Sequence, residues 1–303
     1  MPSFPLRGLI LILLLATVVP VQGQAPAKKE ETPPPENFSI TTKDGVQLVL
    51  TYLAGTRGKE SVPIVLLHMY KGNRHEMEGL GLFLQSKGHA VILPDLRGHG
   101  DSTVVIGSDR RLDAATMPVA QLTNMITQDM ESIKKFIIEK HNAGALNVEK
   151  LTIVAAEMSV QVAVNWAAQD WAAIDLPTLK QSKDVKALVL LSPTMTFKTL
   201  SLTKPLAFPP IRDQVAFFLV AGAEDAPSAA DARRIQQQLD RFRPKPTKIE
   251  DKTVFIEDTL KTKLVGSKLL GEKSLGVEEV IAEFIELRAA SSGMNPWKAR
   301  LVP

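Results

Sequence analysis

The 303-residue chain contains no cysteine. It therefore has no disulfide and no lipid-attachment thiol, and an oxidising compartment is tolerated without being exploited. A dense Lys/Arg stripe is also missing. The 36 basic residues against 33 acidic ones leave a formal charge of only +3, so no nucleic-acid partner is indicated. Histidine is scarce: His68, His75, His89, His99 and His141 are the full set, and none follows residue 141. There is no H-E-x-x-H, and neither His75 with Glu76 nor His68 with His75 has a third ligand at a metal-binding spacing. No metal and no other cofactor is expected. Gly79 and Gly81 lie in an apolar helix-like stretch, GLGLF, and do not form a phosphate loop.

What is present begins with a leader pattern. Arg7 precedes an apolar run from Leu9 to Val19, followed by Pro20 and a Val-Gln-Gly ending at Gly23. That order predicts a secretory signal peptide over residues 1–23 and a secreted or periplasmic destination. The run would span about 16 Å as a helix against a hydrocarbon core of roughly 30 Å, so no stable membrane span is expected after cleavage. An uncleaved signal anchor is the alternative. Residues 24–37 are polar and proline-rich and read as a linker without a core.

From Phe38 the pattern becomes regular. Short apolar strands are predicted at 38–42, 46–53, 63–68, 90–94, 151–155, 187–192, 215–221 and 253–256. Asp44 and Gly45 supply the turn between the first two. Leu122, Ile126, Met130, Ile133 and Ile137 form one helical stripe, and Val277, Val280, Ile281, Phe284 and Leu287 another. Two leading strands followed by alternating strand and helix predict an α/β fold in one domain over 38–290. Its sheet would be mostly parallel and eight-stranded, with helices on both faces. Strands such as Ile64–Leu67 and Leu188–Leu191 are apolar on both sides, as a doubly covered sheet requires. Residues 291–303 form a C-terminal tail whose Trp297 is expected to pack back on the domain.

Three segments in order carry a resemblance. Val62–Tyr70 reads VPIVLLHMY; Ala90–Ser102 reads AVILPDLRGHGDS; Leu151–Val164 reads LTIVAAEMSVQVAV. They are similar to the α/β-hydrolase superfamily: the strand before its oxyanion loop, its D-x-R-G-H-G-x-S segment, and its nucleophile elbow. Asp95, Arg97, Gly98, His99, Gly100 and Ser102 match every marked position of the second segment. The resemblance implies the α/β-hydrolase fold and an acyl-transfer site of serine, acid and histidine in that chain order. It also implies that His99 is structural and that His68 braces the oxyanion loop.

The elbow positions read Ala155, Ala156, Glu157, Met158 and Ser159, so Glu157 stands at the nucleophile position without a hydroxyl. The segment Phe217–Asp225 places Asp225 at the acid position, where a loop or helix-capping role is expected in place of catalysis. After the last strand the chain reads EDTLKTKLVGSKLLG, and Val265-Gly266-Ser267 resembles a degraded histidine site; the triad histidine is absent. The aligned oxyanion-hole donors are the N–H groups of Tyr70 and Met158. Glu157 either accepts those donors itself, filling the anion site, or starts a helix and points to water. With no catalysis to serve, the strained elbow backbone is expected to relax.

The functional expectation is a non-catalytic pseudo-hydrolase serving as a binding or scaffolding module, with a small apolar or acyl molecule as candidate ligand. The alternative is an acyl-ester hydrolase using displaced residues, such as Ser159 with His68 or His75. A structural envelope protein is the third reading. Residues 193–214 occupy the family's lid position but are too few for a helical cap.

Overall fold

The computed structural model describes residues 32–174, 180–291 and 295–300. The leader (1–23) and most of the linker lie outside the described residues. The chain is described from Thr32, and its first strand starts at Glu36, two residues before the expected edge.

Among the described residues, ten strands and eight α-helices follow in chain order. The strands are β1 (Glu36–Thr41), β2 (Gln47–Leu53), β3 (Pro63–Leu67), β4 (Ala90–Pro94), β5 (Leu151–Ala156), β6 (Val185–Leu191), β7 (Thr196–Phe197), β8 (Leu200–Ser201), β9 (Ala216–Gly222) and β10 (Val254–Leu260). The helices are α1 (Glu78–Ser86), α2 (Ala120–Asn124), α3 (Met130–Asn142), α4 (Ser159–Ala172), α5 (Thr203–Ala207), α6 (Pro209–Gln214), α7 (Ala226–Asp240) and α8 (Val277–Ile285).

Eight strands form one sheet in the order β1-β2-β4-β3-β5-β6-β9-β10, with β7 and β8 a separate two-stranded hairpin. The β1–β2 and β2–β4 pairs are antiparallel; every pair from β4 through β10 is parallel. All eight strands of the large sheet correspond to predicted runs. The small hairpin was not predicted.

Alternation sorts each strand between two cores. Ile64 and Leu66 face one side with Leu80 and Leu84 of α1 and Ile281 and Phe284 of α8. Val65 and Leu67 face the other, with Phe136 of α3, Trp166 of α4 and Ile235 of α7. The expected stripe from Leu122 to Ile137 is buried throughout, although one turn of π-helix (Met125–Asp129) interrupts it. Val280 departs from its predicted stripe and is 42% exposed, because Val277, Ile281, Phe284 and Ile285 already fill the buried face of α8. No helix among the described residues is long and apolar enough to cross a membrane.

Since β3, β5, β6, β9 and β10 run parallel, their C-terminal ends share one edge of the sheet, here called the crest. Their N-terminal ends share the other, the foot. In open parallel sheets the crest is where loops converge on ligands.

Candidate functional site

The crest is built around the turn between β5 and α4. Glu157 follows β5 with φ +52, in the left-handed region that costs an L-residue roughly 1–2 kcal/mol. The expectation that this turn would relax is therefore corrected. The chain must reverse from a buried strand into a buried helix over Glu157 and Met158, and the surrounding bonds over-determine that geometry. Glu157 N–H donates to the Leu191 carbonyl of β6 at 2.9 Å, and the Glu157 carbonyl accepts from Val160 N–H at 3.1 Å. Small Ala155, Ala156 and Ser159, all fully buried, let the neighbouring elements close in.

The Glu157 side chain is half-buried, and its Oε2 accepts the Tyr70 N–H at 3.3 Å. Of the two aligned donors, Tyr70 reaches the carboxylate and Met158 does not. Burial raises the Glu157 pKa and the nearby Glu76 carboxylate adds to the effect; the Tyr70 amide and Lys268 pull the other way.

Glu76 is a second crest carboxylate, carried on the 3-10 turn Arg74–Met77. Its Oε2 accepts Met69 N–H at 3.3 Å and the Ser267 hydroxyl at 2.9 Å. Residues 265–267 thus do arrive beside the elbow. Gly266, at φ +58, lies so close that an added Cβ would stand 2.5 Å from Met69 Sδ and 3.5 Å from Ala156 Cβ, so only glycine fits. Its N–H donates to Ser192 Oγ at 2.8 Å. Where the resemblance calls for a histidine, this chain presents a glycine contact and a hydroxyl held by Glu76. Sequence reading considered Glu76 only as a metal ligand and missed this pairing, since the two residues are 191 positions apart.

Asp225 lies at the start of α7 but makes no side-chain capping bond. It is half-buried, and its Oδ2 is buried without a partner among the described residues. It stands at the cap position of α7 and serves there through its backbone: the turn bond to Gly222 and the first bond of α7 run through its N–H and carbonyl.

The displaced residues of the alternative reading do not assemble. Ser159 is fully buried and its hydroxyl donates to the main-chain carbonyl of His68, not to an imidazole. The His68 ring is committed at both nitrogens: Nδ1–H donates to Met69 O at 2.7 Å and Nε2 accepts Leu96 N–H at 3.1 Å. Burial lowers its pKa, which fits that neutral tautomer. His75 is exposed, 3.2 Å from Glu78. His99 stacks 5.0 Å from His68 with its Nδ1 3.0 Å from Arg97 O, and burial lowers its pKa to about 4.

The remaining motif residues pin the loop after β4. Asp95 Oδ1 accepts Arg74 N–H at 2.6 Å and Oδ2 accepts Asp101 N–H at 2.8 Å. A Cβ on Gly100 would strike the Asp95 carboxylate at 2.2 Å. Buried Arg97 binds Asp129 through Nε at 2.8 Å and Asp44 through Nη1 at 2.6 Å.

Above the turn, the hairpin of β7 and β8 lays Phe197 5.2 Å from the Tyr70 ring. Tyr70 Oη donates to Ala114 O at 2.9 Å and accepts from Lys198 Nζ at 3.3 Å. The short lid therefore covers Tyr70 more closely than its length suggested. Among the described residues, no three His, Asp or Glu side chains group as metal ligands. A groove of about 670 Å³ between α1 and α8, lined by Phe83, Lys87, Ala282 and Glu286, belongs to the foot and not to this site.

No protein-family model and no curated protein matches the sequence. Solved structures do match its fold. An esterase from Pyrococcus furiosus superposes with a TM-score of 0.61 at 15% identity, covering 84% of this chain and 92% of that one. A thermostable carboxyl esterase from Bacillus coagulans gives 0.57 at 11% identity, covering 84% and 99%. An esterase from Exiguobacterium antarcticum gives 0.54 at 13%, covering 83% and 100%. This chain has the α/β-hydrolase fold. At these identities the likeness carries fold and not activity.

Proposed function

We propose that this chain is a secreted or periplasmic α/β-hydrolase-fold protein that performs no acyl transfer and works as a binding or scaffolding module. The observation that carries the reading is the Glu157 carboxylate resting on the Tyr70 amide. An oxyanion hole accelerates acyl transfer by aiming preorganised donors at a developing negative charge. Here a resident carboxylate already uses one such donor. The same position lacks a hydroxyl to attack with, and the His68 imidazole has both nitrogens engaged. Without a base the first proton transfer has nowhere to go.

The alternative, an acyl-ester hydrolase using displaced residues, has one observation in its favour: the elbow backbone at Glu157 keeps its left-handed conformation. A panel of p-nitrophenyl esters with a fluorophosphonate probe decides between the two. The proposal expects neither turnover nor stoichiometric labelling, and Glu157→Ser alone stays inert because no base is restored. Turnover that disappears in Ser159→Ala would overturn it.

A further inference from the structure

Lys71 and Lys198 share an unusual backbone with Glu157: their φ values are +62, +51 and +52. Left-handed backbone at a long, non-glycine residue is strained and persists where the surroundings hold it. The two lysines come from different loops, one after β3 and one at the tip of the β7–β8 hairpin. Both nevertheless place their ammonium groups on the same ring. Lys71 Nζ lies 5.6 Å from the Tyr70 centroid and Lys198 Nζ lies 4.8 Å from it. Lys198 Nζ also reaches the Phe197 ring at 5.6 Å.

One cation on an aromatic face is favourable, but two on one ring repel each other. Among the described residues neither ammonium has a carboxylate partner, and both side chains are exposed. The Glu157 carboxylate does not neutralise them, because it bonds the backbone amide of Tyr70. By contrast, Tyr70 itself is held firmly through its amide, its hydroxyl and its contact with Phe197. Strained loops that bring two unneutralised cations to a fixed aromatic platform supply the chemistry an anion with an apolar body would use.

We propose that the crest binds a ligand with an anionic oxygen group, carboxylate or phosphate, clamped by Lys71 and Lys198, its apolar or aromatic body resting on Tyr70 and Phe197. This deepens the binding-module reading and rests on it. Two ammonium donors give charge-assisted bonds to such a group, and the ring pair gives an apolar body its contact area. Glu157 contributes by exclusion: its negative charge guards the neighbouring amide and offsets nearby Lys268, which leaves Lys71 and Lys198 to take the anion.

The test is titration of the full chain at low ionic strength with phenyl phosphate, benzoate, inorganic phosphate and benzyl alcohol, read by calorimetry. Saturable binding is expected for phenyl phosphate or benzoate, and whichever binds tighter identifies the anionic group. Inorganic phosphate should bind more weakly than phenyl phosphate, and benzyl alcohol should not bind. Lys71→Gln and Lys198→Gln should each weaken binding about tenfold, the loss of one charge-assisted bond. Lys245→Gln, in an exposed loop elsewhere, should leave binding unchanged. Lys71→Gly supplies an independent reading: it should raise the melting temperature by releasing the strained backbone while weakening the anion. Absence of saturable binding for every anion, or equal affinity in the wild type and both Gln variants, overturns the proposal. Ester turnover accompanied by anion binding would instead sink the non-catalytic reading and leave this site standing.

Discussion

The two ends of the sheet handle charge in opposite ways. At the foot, buried charges from distant parts of the chain are paired to one another and closed over by the C-terminal tail. Arg300, only 6% exposed, donates through Nε to Glu149 at 3.0 Å, through Nη1 to Lys180 O at 2.7 Å and through Nη2 to Asp184. Lys134 pairs with Asp170 at 2.5 Å, and Asp170 Oδ2 accepts the N–H groups of Asp184 and Val185. Trp297 seals the edge, stacked 4.9 Å from His141 with Lys59 3.9 Å above its ring. At the crest, Glu157 has one amide, Asp225 has an orphaned oxygen, and Lys71 and Lys198 crowd one ring. Charges at the foot are consumed in holding the fold, as are those that pin the loop after β4; Glu157, Asp225, Lys71 and Lys198 are left with capacity to spare. The proposed anion site draws on that surplus, set on strained backbone.

Arg300→Ala tests the contrast hardest. It removes the more deeply buried of the two cations that Glu149 and Asp184 share, Lys180 being the other, and breaking a buried pair costs about 3–5 kcal/mol. Urea denaturation should show a loss of that order, whereas a substitution at Glu157, Asp225, Lys71 or Lys198 should cost far less; equal losses would erase the distinction.

Acid comes next. Burial lowers the pKa of His89 near the foot and of His99 near the crest to about 4 each. Both are neutral when folded but titrate near 6.5 when unfolded. The stability each contributes is complete above pH 6.5 and falls as the pH drops toward 4, by about 1.4 kcal/mol per unit. Denaturation midpoints measured from pH 7 to pH 4.5 should decline accordingly, and His99→Phe should flatten the slope.

Glu157→Gln should act in the reverse sense. Because burial raises the Glu157 pKa, its ionised form is disfavoured in the fold, and the stability it offers in acid is lost as pH rises through the folded value. The amide variant keeps an acceptor for Tyr70 and should be the more stable at pH 7, by less than about 1 kcal/mol given its partial exposure. That advantage should vanish below the range in which a free glutamate titrates. Thermal melts at pH 7 and pH 3 check it.

The smallest effect belongs to Asp225→Asn, which neutralises an oxygen that bonds nothing. Stability should stay within about 1 kcal/mol of wild type. A larger loss would give Asp225 a partner at the crest and narrow the gap between the two ends.

Sequence made the eight sheet strands readable because most are short apolar runs bounded by turn residues, and because the antiparallel lead and parallel remainder follow from their spacing. It made the elbow readable as strand, small residues and helix. It did not reveal that Glu157 retains left-handed backbone, since that depends on bonds to Leu191 and Tyr70 from other strands. The two-residue strands β7 and β8 are too short to show alternation, so the hairpin that carries Lys198 looked like irregular chain. The Glu76–Ser267 pair and the Arg97 contacts to Asp44 and Asp129 join residues remote in sequence, and no local pattern encodes them. Trp297 was the one hint of the foot: an indole beyond the last helix needs somewhere to go.

The bonds of Arg300 to Glu149 and Asp184 bridge 151 and 116 residues of chain. Contacts spanning that much sequence carry a heavy loop-closure cost and cannot nucleate folding. They are expected to snap shut only after β5 and β6 have docked. During synthesis the acidic sockets would wait open until the tail arrives, and hydrogen exchange should find the amides around Asn142 and Asp184 protected last.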